Sequence, residues 1–318
     1  MAVIAVYSMK GGVGKTTMAV DLAWRFSQRG GHNTLLFDLD PQGGAGFLLG
    51  HEERKVQRAI SAFHHARAPR DLIEPTKYEG LSLIGADQSL RDLPVQLARI
   101  GSKKRLATML NFMKGDYSRI VLDCPPMINE VSEQIMEAAD LIVVPLPASP
   151  LAARAFGFIK RELAQRPGHP PVLPVLSMYD QRRKLHRWVR ENAAANWPVI
   201  PQSSYVEQVA VRREPIAAFA NWSPASQGFE QLHAALESKL AQLGLAGPPP
   251  GGGSRALPGP QAEDSHAPSD ASARVVPIRN ATSARHTDRP ADRNADRPGA
   301  LSVPPPASEG LARRAFSF

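Results

Sequence analysis

Residues 9–17 read Met-Lys-Gly-Gly-Val-Gly-Lys-Thr-Thr and follow an apolar run, Ala-Val-Ile-Ala-Val-Tyr, at 2–7. A β-branched run of that kind, stopped by glycines, reads as a strand buried on both faces. A glycine-rich turn leading into a helix aims backbone N–H groups at phosphate oxygens, while a lysine reaches the terminal phosphates and a hydroxyl meets Mg²⁺. Here Gly11, Gly12, Val13 and Gly14 make the turn, Lys15 is the phosphate lysine, Thr16 offers its hydroxyl to the metal and Thr17 continues the cradle. The strict spacing G-x-x-x-x-G-K-[ST] fails, because Met9 stands where its first glycine belongs. The loop is therefore a variant, and it carries a second lysine, Lys10.

Outward from the loop, the sequence predicts a helix over 14–28, closed by Arg29-Gly30-Gly31, and then a buried strand, NTLLFDLD, at 33–40. Similar apolar runs recur at 81–85, 119–124, 141–146 and 172–178, with helical patterns near 104–114, 129–138, 151–165 and 181–194 between them. Alternating strands and helices predict an α/β fold, a mostly parallel sheet with helices on both faces. Ligands of such sheets sit at the carboxyl ends of the strands. Asp38, Asp40 and Asp123 fall there. Asp123, ending a strand beside the loop, suits the acid that holds Mg²⁺ through water; the alternative for all three is a cap on the following turn.

The variant pattern K-G-G-x-G-K-[ST] resembles that of the ParA/Soj and MinD family of partition ATPases, and the resemblance runs through most of residues 1–246. DLDPQG at 38–43 resembles the family's second motif, DYSRIVLDCPP at 116–126 its Walker B segment, and AADLIVVPLPAS at 138–149 the strand after it. VLSMYDQRRKL at 175–185 and VIPQSSYVEQVAVRREPI at 199–216 resemble its base-binding and C-terminal helical regions. The resemblance implies ATP and Mg²⁺ as cofactors and an ATP-sandwich homodimer in which Lys10 reaches the partner's nucleotide. It also implies that Asp40 orients the attacking water, that Asp38 supports the metal's water shell, and that a separate protein stimulates hydrolysis. The guanine-reading N/TKxD signature is absent at 177–180, where the chain has Ser-Met-Tyr-Asp, so ATP is expected over GTP. Met178 and Pro201 are candidate walls of the base pocket.

Arg183, Arg187 and Arg190 are spaced i, i+4, i+7 and would share one helix face, which Arg182, Lys184, Arg212 and Arg213 could widen. By resemblance such a strip binds DNA without sequence preference; the bland reading is a solvated helix face. Charge agrees with a polyanionic partner. The chain carries +8, and residues 247–318 hold nine arginines against seven acids, which leaves +6 on the body. Those last residues are rich in Pro, Gly, Ala, Ser, Asp and Arg, with the repeat DRPADRNADRPG at 288–299 and an end reading LARRAFSF. They predict a disordered tail.

A single cysteine, Cys124, excludes an internal disulfide and a cysteine-held iron–sulfur cluster, and points to a reducing compartment. The apolar N-terminal run is too short to cross a bilayer and has no basic flank, so a cytoplasmic, nucleoid-associated place is expected. A MinD-like membrane ATPase and an ATP-holding adaptor without turnover are the competing readings. Membrane attachment is disfavoured because a MinD-like anchor needs a longer amphipathic helix than the final residues supply.

Overall fold

The structure, a computed structural model, describes residues 1–51, 59–63 and 69–247. The expected tail, except Gly247, lies outside the described residues. In order, the chain forms β1 (Ala2–Val6), α1 (Lys15–Gln28), β2 (Thr34–Asp38), α2 (Gly44–Leu48), β3 (Glu74–Pro75), β4 (Leu81–Ile84), α3 (Leu93–Ile100), α4 (Arg105–Asn111) and β5 (Arg119–Asp123). It continues with α5 (Glu130–Ala138), β6 (Leu141–Pro147), α6 (Pro150–Ala164), β7 (Val172–Tyr179), α7 (Lys184–Asn192), β8 (Val199–Pro201), α8 (Ser204–Arg212), α9 (Ile216–Phe219) and α10 (Pro224–Gln242).

The strands make one eight-stranded sheet in the order β3-β4-β2-β5-β1-β6-β7-β8. All neighbours are parallel except the short edge pair β3–β4. The mostly parallel α/β sheet expected from the sequence is therefore found, with β1 at its centre. Every residue of β1 is buried because the alternation of its side chains feeds two cores. Ala2, Ile4 and Val6 pack with α1 and α10 on one face, and Val3, Ala5 and Tyr7 pack with α3 to α6 on the other. No helix among the described residues is long and apolar enough to cross a membrane.

Several boundaries differ from the sequence reading for local reasons. The second strand stops at Asp38 because its carboxylate accepts from the Asp40 N–H at 3.0 Å and turns the chain. The helix expected over 181–194 starts only at Lys184, since Asp180 accepts from the Arg182 N–H at 2.9 Å and holds the preceding turn. α3 is an additional element, as is the 19-residue α10. Helix α10 begins at Ser223, whose hydroxyl accepts from the Ser226 N–H, with Pro224 in the first turn. It buries Ala225, Phe229, Leu232, Leu236 and Leu240 at three- and four-residue steps. It lies so close to β8 that a Cβ at Gly228 would sit 2.4 Å from the Val199 carbonyl oxygen.

Two buried ionic groups fix α10 in place. Arg25 and Asp21 are both 1% exposed; Arg25 Nε donates to Asp21 at 2.6 Å, Nη2 donates to the Ser226 carbonyl and hydroxyl, and Nη1 donates to Glu230. Arg119, fully buried, donates from Nε and Nη2 to Glu237 at 3.1 and 2.8 Å, and His32 lies 3.3 Å from the same carboxylate. Burial alone would raise the Glu237 pKa, but the bonds from His32 and Arg119 outweigh it and bring it down to about 2.

Candidate functional site

Strand register sets the site. Val6 and Asp38 both lie opposite Asp123, so the exit of β1 and the two acids are level at the carboxyl edge of the sheet. The chain leaves β1 through a turn with Gly12 at φ 69° and Gly14 at φ 91°, left-handed values that side chains other than glycine adopt at a cost. A Cβ at Gly11, Gly12 or Gly14 would meet nothing within 4 Å. The turn is thus open on its inner side. No side chain caps α1, so its first N–H groups stay available to an anion.

Around this cradle the charges are unbalanced. Lys15 is 7% exposed, and its ammonium has no hydrogen-bonded or ion-paired partner among the described residues. Asp123 is fully buried and neither of its oxygens has a hydrogen-bond partner. Burial pushes its pKa up to about 7, opposed by the nearby Thr16 hydroxyl and Lys15 charge and reinforced by Asp40. An unpartnered buried carboxylate is costly. A hydrated Mg²⁺ beside bound phosphates would meet its need for a cation or for water donors. Among the described residues no cluster of three or more His, Cys, Asp or Glu forms an all-protein metal cage, and Mg²⁺ characteristically takes one or two carboxylates plus phosphate and water. The open glycine turn, the unpaired Lys15 and the bare Asp123 therefore fit ATP with Mg²⁺.

Asp38 differs from Asp123. It is equally buried, but its oxygens accept from the Asp40 N–H at 3.0 Å and the Ala45 N–H at 2.9 Å. Burial, then the Asp123 charge, push its pKa well up. The expectation that Asp38 supports the metal's water is revised accordingly: its oxygens are taken up in shaping the Asp40 loop and capping α2. Asp40 itself is half-buried and accepts from the Gln42 N–H at 3.1 Å. Lys10 is exposed, with its backbone N–H donating to the Ser8 hydroxyl at 3.2 Å.

Met178 and Pro201 are brought together. With Val13, Gly14 and Thr17 they line a largely apolar cleft of about 530 Å³, open mouth included, next to the phosphate turn. Met178 has φ 53°, which is rare for a residue other than glycine and recurs where function imposes strain.

The arginine strip is only partly assembled. Arg183 is exposed at the N-cap of α7 and Arg187 is exposed within it, although Arg187 Nη1 donates to the Gln181 carbonyl at 2.8 Å. Arg190 is half-buried and donates to the carbonyls of Ala194 and Trp197 at 2.6 and 2.9 Å. Arg213 donates to the carbonyls of Phe47 and His51. Helical spacing counts arginines on a face but cannot show which guanidinium is already engaged.

Sequence reasoning missed the pair Gly43-Gly44. Gly43 takes φ 66° to start α2, and a Cβ at Gly44 would lie 3.0 Å from the Thr16 methyl carbon, so the Asp40 loop presses against Thr16. The doubled glycine after DLDPQ was the available signal.

A family model described as an AAA domain matches residues 1–163. The chromosome partitioning protein ParA of Caulobacter vibrioides is 29% identical over 247 residues, which cover 73% of this chain and 92% of the relative. The chromosome-partitioning ATPase Soj of Thermus thermophilus is 31% identical over 240 residues, 72% of this chain and 92% of the relative. Among solved structures, apo McdA of Cyanothece superposes with a TM-score of 0.64 at 23% identity, covering 74% of this chain and 99% of that one. A Mycobacterium smegmatis cobyrinic acid a,c-diamide synthase with bound ATP analog and magnesium superposes with a TM-score of 0.57 at 29% identity, covering 70% and 96% respectively. With a family model spanning half of its length and a 31% identical relative matched almost end to end, the chain belongs to the ParA/MinD family of deviant Walker A P-loop ATPases.

Proposed function

We propose that this protein is a Mg²⁺-dependent ATPase that dimerises around ATP, binds duplex DNA without sequence preference in that state, and positions a cargo such as a plasmid, chromosome or protein complex. The observation that carries the reading is the fully buried, unpartnered Asp123 carboxylate beside Lys15 and Thr16, level with an open glycine turn. That geometry is incomplete without a metal and a polyphosphate.

The roles divide as follows. The N–H groups of residues 11–16 and the Lys15 ammonium hold the β- and γ-phosphates, and Thr16 and Asp123 hold the metal, directly or through water. The Mg²⁺ ion, when bound, neutralises charge on the phosphate oxygens. Asp40, on the loop shaped by Asp38, orients the attacking water. Lys10, exposed at the mouth of the turn, is free to meet charge on a second copy's nucleotide, where a cation stabilises the transition state. Met178 and Pro201 would line the cleft that takes the base. Arg183 and Arg187, with Lys184 between them, supply phosphate contacts to DNA. The relatives' printed roles in chromosome partitioning support a nucleoid-associated place; a separate protein that stimulates hydrolysis completes the proposal.

The test is ATP turnover with Mg²⁺ or EDTA, together with mass by light scattering in the presence and absence of ATP. Slow Mg²⁺-dependent turnover, an ATP-dependent dimer, and a dimer stabilised by Asp40→Ala are expected. A mass that ignores nucleotide in both proteins would count against the sandwich.

A further inference from the structure

Helix α8 reaches two functional places of the site proposed above. Near its start, Ser203, Val206 and Glu207 line the cleft that Met178 and Pro201 wall. At its end stands Arg213, the C-cap, with φ 55° and ψ 46°. Glycine is the usual residue at such a cap, and a residue with a Cβ is strained there. Backbone geometry alone gives no reason for an arginine.

Its side chain does. Nε donates to the Phe47 carbonyl at 3.1 Å and Nη2 donates to the His51 carbonyl at 2.6 Å, while the guanidinium carbon lies 4.9 Å from the centre of the Phe47 ring. Phe47 belongs to α2, and His51 follows it in the turn made by Gly50. A Cβ at Gly50 would come within 3.5 Å of the Arg213 carbonyl oxygen, and Glu214 pairs with Lys77 at 2.8 Å alongside. The opposite end of α2 is held by Asp38 through the Ala45 N–H, and that same carboxylate fixes the Asp40 N–H. A five-residue helix is thus gripped at one end by the acid that sets Asp40 and at the other by an arginine from the base-side helix.

We propose that Arg213 is a positioning residue that ties α2 to α8, so that filling the base cleft fixes the loop carrying Asp40. The inference rests on the ATPase reading, and it removes Arg213 from the DNA-contacting strip. A planar fork reaching two carbonyls over an aromatic ring is a task that lysine cannot take over.

The experiment compares wild type, Arg213→Gly and Arg213→Lys as full chains in DNA-free buffer. Arg213→Gly relieves the left-handed backbone while deleting the fork, so it separates loss of the clamp from loss of the fold. Both variants should lose about ten-fold in kcat with KM for ATP within about two-fold, as misplacement of a reacting group does. Hydrogen exchange adds a readout independent of turnover. ATP should slow exchange of the amides of residues 45–49 in wild type and not in either variant, while protection of the phosphate turn persists in all three. Wild-type turnover and α2 protection in Arg213→Gly, or full rescue by lysine, would overturn the assignment and leave the ATPase reading standing. A wild type that neither binds nor hydrolyses ATP would overturn both.

Discussion

Two regions of this molecule bury charge, and they do so in opposite ways. Beneath α10, Arg25 and Arg119 distribute their N–H groups among Asp21, Glu230, Ser226, Glu237 and the Ser118 carbonyl. At the carboxyl edge of the sheet, Asp123 is just as deeply buried and has no hydrogen-bond partner, and Lys15 is nearly enclosed without one. A closed ionic group can be close to neutral in free energy, whereas an open one destabilises the fold until something completes it. The closed group is architecture and the open one is the place for a ligand. Burial alone does not distinguish the two; hydrogen-bond satisfaction does.

The comparison breaks most visibly if the two regions respond alike to mutation. Arg25→Ala should cost about 3–5 kcal/mol of stability, read by denaturant unfolding, because it leaves the buried Asp21 carboxylate without its cation. Lys15→Ala should leave the melting temperature within a few degrees but weaken ATP by about 100-fold or more, read by titration with a fluorescent analogue. Equal loss of stability in both would erase the distinction.

Asp123→Asn sharpens it, because the substitution should stabilise the nucleotide-free protein while ending Mg²⁺-dependent turnover. The Asp123 pKa is raised from 3.8 to about 7 in the folded chain. Between those values the folded chain keeps a proton that the unfolded chain has released, so this residue's contribution to stability falls as pH rises through the window and levels off above it. At pH 8 the asparagine variant should therefore melt above the wild type. At pH 4 the gain should vanish. Thermal melts at the two pH values decide it.

The smallest expected effect lies on α7, where Arg187 is exposed and Arg190 half-buried. Arg187→Glu should weaken binding to unrelated duplexes by a similar factor, on the order of three- to ten-fold at low salt, in a filter or polarisation assay. Arg190→Glu should instead lower the melting temperature, since its guanidinium holds the Ala194 and Trp197 carbonyls.

Much of this was legible in residues 1–180. A strand buried on both faces must be apolar at every position, so β1, β5 and β6 announced themselves, and the glycines at 11, 12 and 14 have few other uses beside a lysine. Legibility failed where tertiary contacts decide. Little in the residue pattern separates Asp38 from Asp123, since both end apolar strands; the turn at Asp40 and the return of the chain through Gly43 and Gly44 to Ala45 supply backbone donors to one and not the other. α10 went unread because its buried residues are spread through a moderately polar stretch, and the residues of α10 that Arg25 and Arg119 grip lie 118 to 205 positions away from them. The strip of arginines was legible as spacing and illegible as availability.

The sheet's two borders carry a last consequence. They are finished by β3 and β8, strands of two and three residues, and each contains a proline, Pro75 and Pro201. Proline has no N–H to offer a neighbouring strand, and short borders give an incoming chain little to pair with. Copies crowded together at high local concentration therefore meet little template along either border for strand-by-strand growth into fibres.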